Sequence, residues 1–284
     1  MTTDDRGGDR GSDRVGGPDA WLGLSGQNRG DGASDGAGWY RDLRNAAIIL
    51  TGWPLGRRGE IGPAAEAKSR RAFVLVGLAL GLAAALFGWI ADGLGLQLFG
   101  AAVFATVAVV ILTNARAECG AAATAAELAE TEPGSDRRFA LIAGCVGAIL
   151  LARIAGLSAI ASLADMLGAL IAAQVLSAAI MALATLSETA GNGKADDSNP
   201  PFDPQRDKGD STALSIVTNA VALLLAILFV GFLNGLLAYA AAMLVGALVW
   251  FSAEICGMPR DRNFLYTIRI KTELAVIVTV AAIL

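Results

Sequence analysis

Six stretches of this chain run apolar for close to the ~20 residues that a helix needs to cross a bilayer. They cover about 72–91, 96–113, 139–157, 158–186, 213–233 and 236–252. Nothing else in the sequence limits its folding choices as tightly. Inside hydrocarbon no water satisfies a backbone N–H or C=O, so a spanning segment must close its own hydrogen bonds. Ala, Gly and Leu dominate the runs, which favours close helix packing over a barrel. The expected fold class is therefore all-α, a polytopic integral membrane bundle of about six to seven transmembrane helices. A last apolar run, 273–284, is too short alone; it is either part of a span that starts earlier or an incomplete crossing. With 55% hydrophobic residues and a mean hydropathy of +0.56, the chain is more apolar than soluble domains usually are.

The polar stretches between the runs set the expected topology. Residues 1–42, rich in Gly, Asp and Arg, read as a disordered cytoplasmic tail without a signal-peptide core. The membrane domain is expected over 43–284. Residues 43–55 are too short to span and suit an interfacial or re-entrant helix, with Trp53 at the headgroups. Lys and Arg fall in 114–138, 187–212 and 253–272, while the turns at 92–95, near 157 and near 234 hold none. By the positive-inside rule the N-terminus and those three polar segments share the cytoplasmic side. Pro133-Gly134 marks a turn, and 187–212 reads as a long flexible loop. Gly77 and Gly81, four apart in the first run, predict a close helix contact.

Several chemistries are excluded at once. The chain has no His, which removes His acid–base catalysis, Ser-His triads and His-metal sites. Cys119, Cys145 and Cys256 are too scattered for a disulfide framework or a Cys-x-x-Cys site. A net charge of −4 gives no reason to expect nucleic acid. Arg153 stands out because a charge within an apolar run is costly and often functional, although a long Arg side chain can also snorkel. Asp165, just across the next turn, is its expected partner.

Thr113–Glu130 forms a polar island after the second run. Read as a helix, it places Cys119, Ala123 and Ala126 on one face. Three carboxylates at that spacing would make a divalent-cation site beside the membrane. The stretch Cys119-Gly120-Ala121-Ala122-Ala123-Thr124-Ala125-Ala126-Glu127 resembles the acidic signature of the cobalamin synthase family (adenosylcobinamide-GDP ribazoletransferase), roughly D-G-x-A-D-x-x-D-G. The Gly, the Ala and the spacing are kept, and all three Asp positions are replaced. Further likenesses follow the same order. Thr51 and Pro54 match the family's "FLTRLPVP", with Gly52 in place of Arg. Residues 73–81 resemble "FPLVGLLLG". Asp136 and Arg138 match "DSRxG", while Leu265 and Glu273 survive from the family's terminal stretch.

The resemblance implies an enzyme of late cobalamin biosynthesis in the bacterial inner membrane, multi-pass with a cytoplasmic N-terminus. Its family joins adenosylcobinamide-GDP to alpha-ribazole or its phosphate, releases GMP and uses Mg²⁺. Mg²⁺ prefers oxygen ligands and clamps phosphates, while Arg neutralises the charge that leaves. Carried over, the catalytic candidates are Asp136, Arg138 and Glu273, and the metal-ligand candidates are Glu118, Glu130 and Asp136. The implied partners are the lipid bilayer, a corrinoid substrate and other membrane proteins of the pathway. The lost Asp residues keep two alternatives open: a non-catalytic homologue that binds a corrinoid or a partner enzyme, and a small-solute transporter.

Overall fold

The computed structural model describes residues 35–55, 63–129, 135–191, 204–257 and 262–284. It divides into two compact units. Of the first, Met1–Gly38, only the opening turn of a helix falls in the described residues; the second, Trp39–Leu284, holds everything below.

The regular elements among the described residues are all helices, in the order α1 (Asp35–Thr51), α2 (Pro63–Ser69), α3 (Phe73–Gly93), α4 (Leu98–Leu112), α5 (Arg116–Leu128), α6 (Asp136–Ser158), α7 (Leu163–Gly191), α8 (Pro204–Val230), α9 (Phe232–Ile255) and α10 (Arg262–Ile283). A short 3₁₀ turn, Arg70–Ala72, leads into α3. Among the described residues five helices are long and apolar enough to cross a membrane, making six candidate spans if the bent pair α4–α5 counts as one. The polytopic all-α bundle expected from the hydropathy pattern is what forms.

α7 lies at the centre. Its span is 89% buried, and Leu170, Ala173, Val175, Leu176 and Ala179 are closed off from every side. A helix apolar all round finds its place inside a bundle. α3 packs along α7 through its two glycines. A Cβ on Gly77 would lie 2.7 Å from the Gln174 carbonyl oxygen, and one on Gly81 would lie 2.9 Å from Ile171 Cα. Only hydrogen fits there, as small-residue packing between membrane helices requires. The outer faces of α3, α8 and α9 carry exposed Leu86, Trp89, Leu224, Leu228, Leu244 and Phe251. On a soluble surface such an apolar girdle would be a liability; against acyl chains it costs nothing.

The second central helix is α10, packed against α5, α6, α7 and α9. The segment 253–272 was expected to be a cytoplasmic polar stretch, yet Phe264–Ile270 are all buried within a continuous helix. The final apolar run is thus the C-terminal half of a helix that starts at Arg262. Charged Arg262, Arg269, Lys271 and Glu273 keep α10 outside the five apolar spans.

Two other boundaries move. α1 begins at Asp35, inside the expected tail, and Asp42 is buried where it accepts from Arg71 Nε at 2.7 Å. The guanidinium of Arg71 also lies 4.8 Å from the Trp39 ring centroid, a cation–π contact that ties α1 to the start of α3. The expected loop 187–212 is shortened from both ends, because α7 runs to Gly191 and α8 starts at Pro204. The Pro133-Gly134 turn and Glu130 lie outside the described residues.

Candidate functional site

The polar island folds as α5, set at 81° to α4. The corner is made without glycine: Asn114 and Ala115 take φ of 51° and 52°. Thr113 Oγ1 donates to the Val109 carbonyl at 2.8 Å, closing the end of α4. Past the corner α5 presses on α10. A Cβ on Gly120 would sit 2.8 Å from the Tyr266 side chain, so the glycine of the island is a packing requirement. Tyr266 in turn donates from its hydroxyl to the Ile49 carbonyl at 2.8 Å.

α5 is a continuous helix, so Cys119, Ala123 and Ala126 keep one face, but their exposure differs along it. Cys119 is exposed, Ala123 half-buried and Ala126 buried. Glu118, one step around the helix from Cys119, points inward and is fully buried. It meets Arg153 of α6. Arg153 Nη1 donates to Glu118 Oε1 at 2.8 Å, and Nη2 donates to Glu273 Oε2 of α10 at 2.9 Å. Arg153 Nε also lies 2.8 Å from Glu273 Oε1, a charge contact without the alignment of a hydrogen bond. All three side chains are at most 1% exposed. The fork of the guanidinium thus takes Glu273 with two nitrogens and Glu118 with the third, a geometry open to Arg and closed to Lys.

Arg269, one turn before Glu273 on α10, extends the cluster. Its Nη1 donates to the Leu50 carbonyl at 3.0 Å and its Nη2 to Gln174 Oε1 at 3.2 Å. The carbonyls of Ile49 and Leu50 belong to the last turn of α1, where no intrahelical donor remains. Tyr266 and Arg269 therefore close the end of α1 from α10. The charges of Glu118, Glu273, Arg153 and Arg269 cancel, which is the condition for holding four ionic groups away from water. Five polar atoms of the cluster have no hydrogen-bond partner: Glu118 Oε2, Arg153 Nε, Glu273 Oε1, Gln174 Nε2 and Arg269 Nε.

The residues expected at the site divide between two places. Glu118 and Glu273 come together through Arg153. Asp136 and Arg138 lie toward the other end of α6, 17 and 15 residues from Arg153, about 25 and 22 Å at 1.5 Å per residue. Asp136 is exposed in the first turn of α6, and Arg138 lies 3.9 Å from Glu127 at the end of α5. Asp165 is not the partner of Arg153. It is exposed and engages Ser162, accepting from the hydroxyl at 2.5 Å and donating its own N–H to Ser162 Oγ at 3.1 Å. That reciprocal capping holds the start of α7, whereas the cost of burying Arg153 is met by acids on two other helices. Arg269, Gln174 and Tyr266 were missed by sequence reasoning. The signal available was the Arg269–Glu273 spacing of four, which puts both charges on one helix face.

The donor set does not suit Mg²⁺. At the three signature positions stand an exposed thiol and two methyl groups. A thiol is a soft ligand, and Mg²⁺ demands oxygen. Glu118 Oε1 and both oxygens of Glu273 face a guanidinium. Among the described residues no three His, Cys, Asp or Glu gather where a metal ion would be held.

No curated protein and no solved structure matches the chain significantly. The family model for cobalamin-5-phosphate synthase does match, over residues 42–259. That range holds the bent helix pair, Arg153 and all five apolar spans, and so the chain belongs to the cobalamin-5-phosphate synthase family.

Proposed function

We propose that this chain serves cobalamin biosynthesis at the membrane as a binding member of its family, without carrying out metal-assisted phosphoryl transfer. The observation that carries the reading is the Glu118–Arg153–Glu273 triad. It engages the buried carboxylates of α5 and α10 with a fixed cation, while Cys119, Ala123 and Ala126 offer no oxygens in their stead. Attack on a pyrophosphate builds negative charge at phosphorus, and a bound cation commonly stabilises it. Losing one such stabilising group costs about 3–4 kcal/mol of barrier, so several losses together remove most of the rate. Within this reading the family's corrinoid–nucleotide intermediate, or a partner enzyme of the pathway, is what the bundle holds. The bacterial inner membrane is its place, with the N-terminus in the cytoplasm.

The test uses membranes that contain this protein alone, supplied with adenosylcobinamide-GDP, alpha-ribazole and Mg²⁺. The expected result is retained corrinoid and no released GMP. Product formation that disappears in Glu130→Ala or Asp136→Ala would overturn the reading in favour of an active enzyme with substitute acids. Solute flux without corrinoid retention would overturn it in favour of a transporter.

A further inference from the structure

We propose that Arg153 is a built-in cation, whose guanidinium fills a site between Glu118 and Glu273 that would otherwise take a divalent metal ion from solution. The inference deepens the functional reading above and rests on the same triad, but it concerns how the bundle is charged and not what it turns over.

Two carboxylates, from α5 and α10, converge on one buried centre. Buried carboxylates call for a positive charge beside them. The charge present is covalently tethered, and its fork binds Glu273 at both oxygens and Glu118 at one. Glu118 Oε2 is left over, buried and without a hydrogen-bond partner. A ligand oxygen therefore remains that the guanidinium does not use. Carboxylate oxygens are the hard ligands that Mg²⁺ and Mn²⁺ take. Arg269 does not compete for the centre, because its two terminal nitrogens are held by the Leu50 carbonyl and Gln174.

Removing Arg153 leaves two acids against the single charge of Arg269. That imbalance must be met by protons or by an ion, and these outcomes are separable. A resident guanidinium also has a consequence for the intact protein. Its helix junction does not depend on the supply of free divalent ions, whereas a metal-held junction would loosen as the ion is withdrawn.

The experiment compares the full-length chain with Arg153→Ala and Arg153→Met, purified in detergent and metal-free. Each is titrated with Mn²⁺ by electron paramagnetic resonance and melted with and without the ion. The wild type is expected to bind no Mn²⁺ and to melt at the same temperature in both conditions. Both variants are expected to bind Mn²⁺ stoichiometrically and to gain melting temperature with it. Adding Glu118→Gln to either variant is expected to abolish that gain. If a variant is folded only when Mn²⁺ is present throughout purification, the inference stands. Mn²⁺ held by the wild type, variants that ignore the ion, or variants unfolded with and without it would each overturn the inference. GMP release by the wild type would sink the functional reading and leave this readout unaffected.

Discussion

Arg153 answers two acids at once, and they are not answered equally. Glu273 receives two of its nitrogens and Glu118 one. Removing one member of a buried ion network strands the others, typically at a cost of about 3–5 kcal/mol. Arg153→Ala in metal-free buffer should therefore lower stability by that amount, measured as the fraction folded in a denaturant or thermal series. Glu273→Gln should cost more than Glu118→Gln, since it disturbs the two-nitrogen contact, and the reverse order would contradict the geometry. Asp136→Ala, at an exposed first turn, should cost less than about 1 kcal/mol, the scale of a carboxylate at a helix N-terminus. At this scale the sequence was half legible. Arg153 announces itself as a charge in an apolar run, and Glu118 and Glu273 are visible as acids among small residues. Their meeting is not visible, because 35 and 120 residues separate the partners and only the packing of three helices joins them. Proximity in sequence pointed to Asp165, which folding uses as a cap.

The helices themselves were easier to foresee than their corners. Apolar runs placed α3, α4, α6 and α9 to within a few residues, since a span is marked by the absence of charge over a fixed length. The corner at Thr113–Arg116 was hidden because no Gly or Pro marks it. Ala115 adopts a left-handed conformation (φ 52°) that costs a non-glycine residue about 1–2 kcal/mol. Ala115→Gly should accordingly raise the melting temperature, with a gain of no more than about 1 kcal/mol after the added unfolded-state entropy. Gly120→Val should do the opposite. Its first carbon would fall 2.8 Å from the Tyr266 side chain, and overpacking of this kind costs about 1–3 kcal/mol. The loss should come with weaker closure of the α1 end, read as faster amide exchange around Ile49 and Leu50. α10 was misjudged for a related reason. Its Arg and Glu look like a surface segment until the surrounding helices supply the partners that allow them inside.

For the whole molecule, the distribution of Lys and Arg gives a topology that the native cysteines can test without new labels. Cys119 lies exposed on α5 and Cys256 exposed at the end of α9, while Cys145 sits partly covered in the apolar span of α6. By the positive-inside argument, the segments carrying Cys119 and Cys256 face the same compartment. A thiol reacts as the thiolate and needs access to water, so a thiol within the hydrocarbon is shielded. A membrane-impermeant maleimide should therefore modify Cys119 and Cys256 together in inverted vesicles, leave both untouched in right-side-out vesicles, and react with Cys145 slowly in either. Single-cysteine versions with Ser at the other two positions assign each signal. Opposite sidedness of Cys119 and Cys256 would put α5 and the α9–α10 connection on different faces. Shared sidedness would instead place the segments that carry Cys119 and Cys256 at one membrane face, as the distribution of Lys and Arg requires.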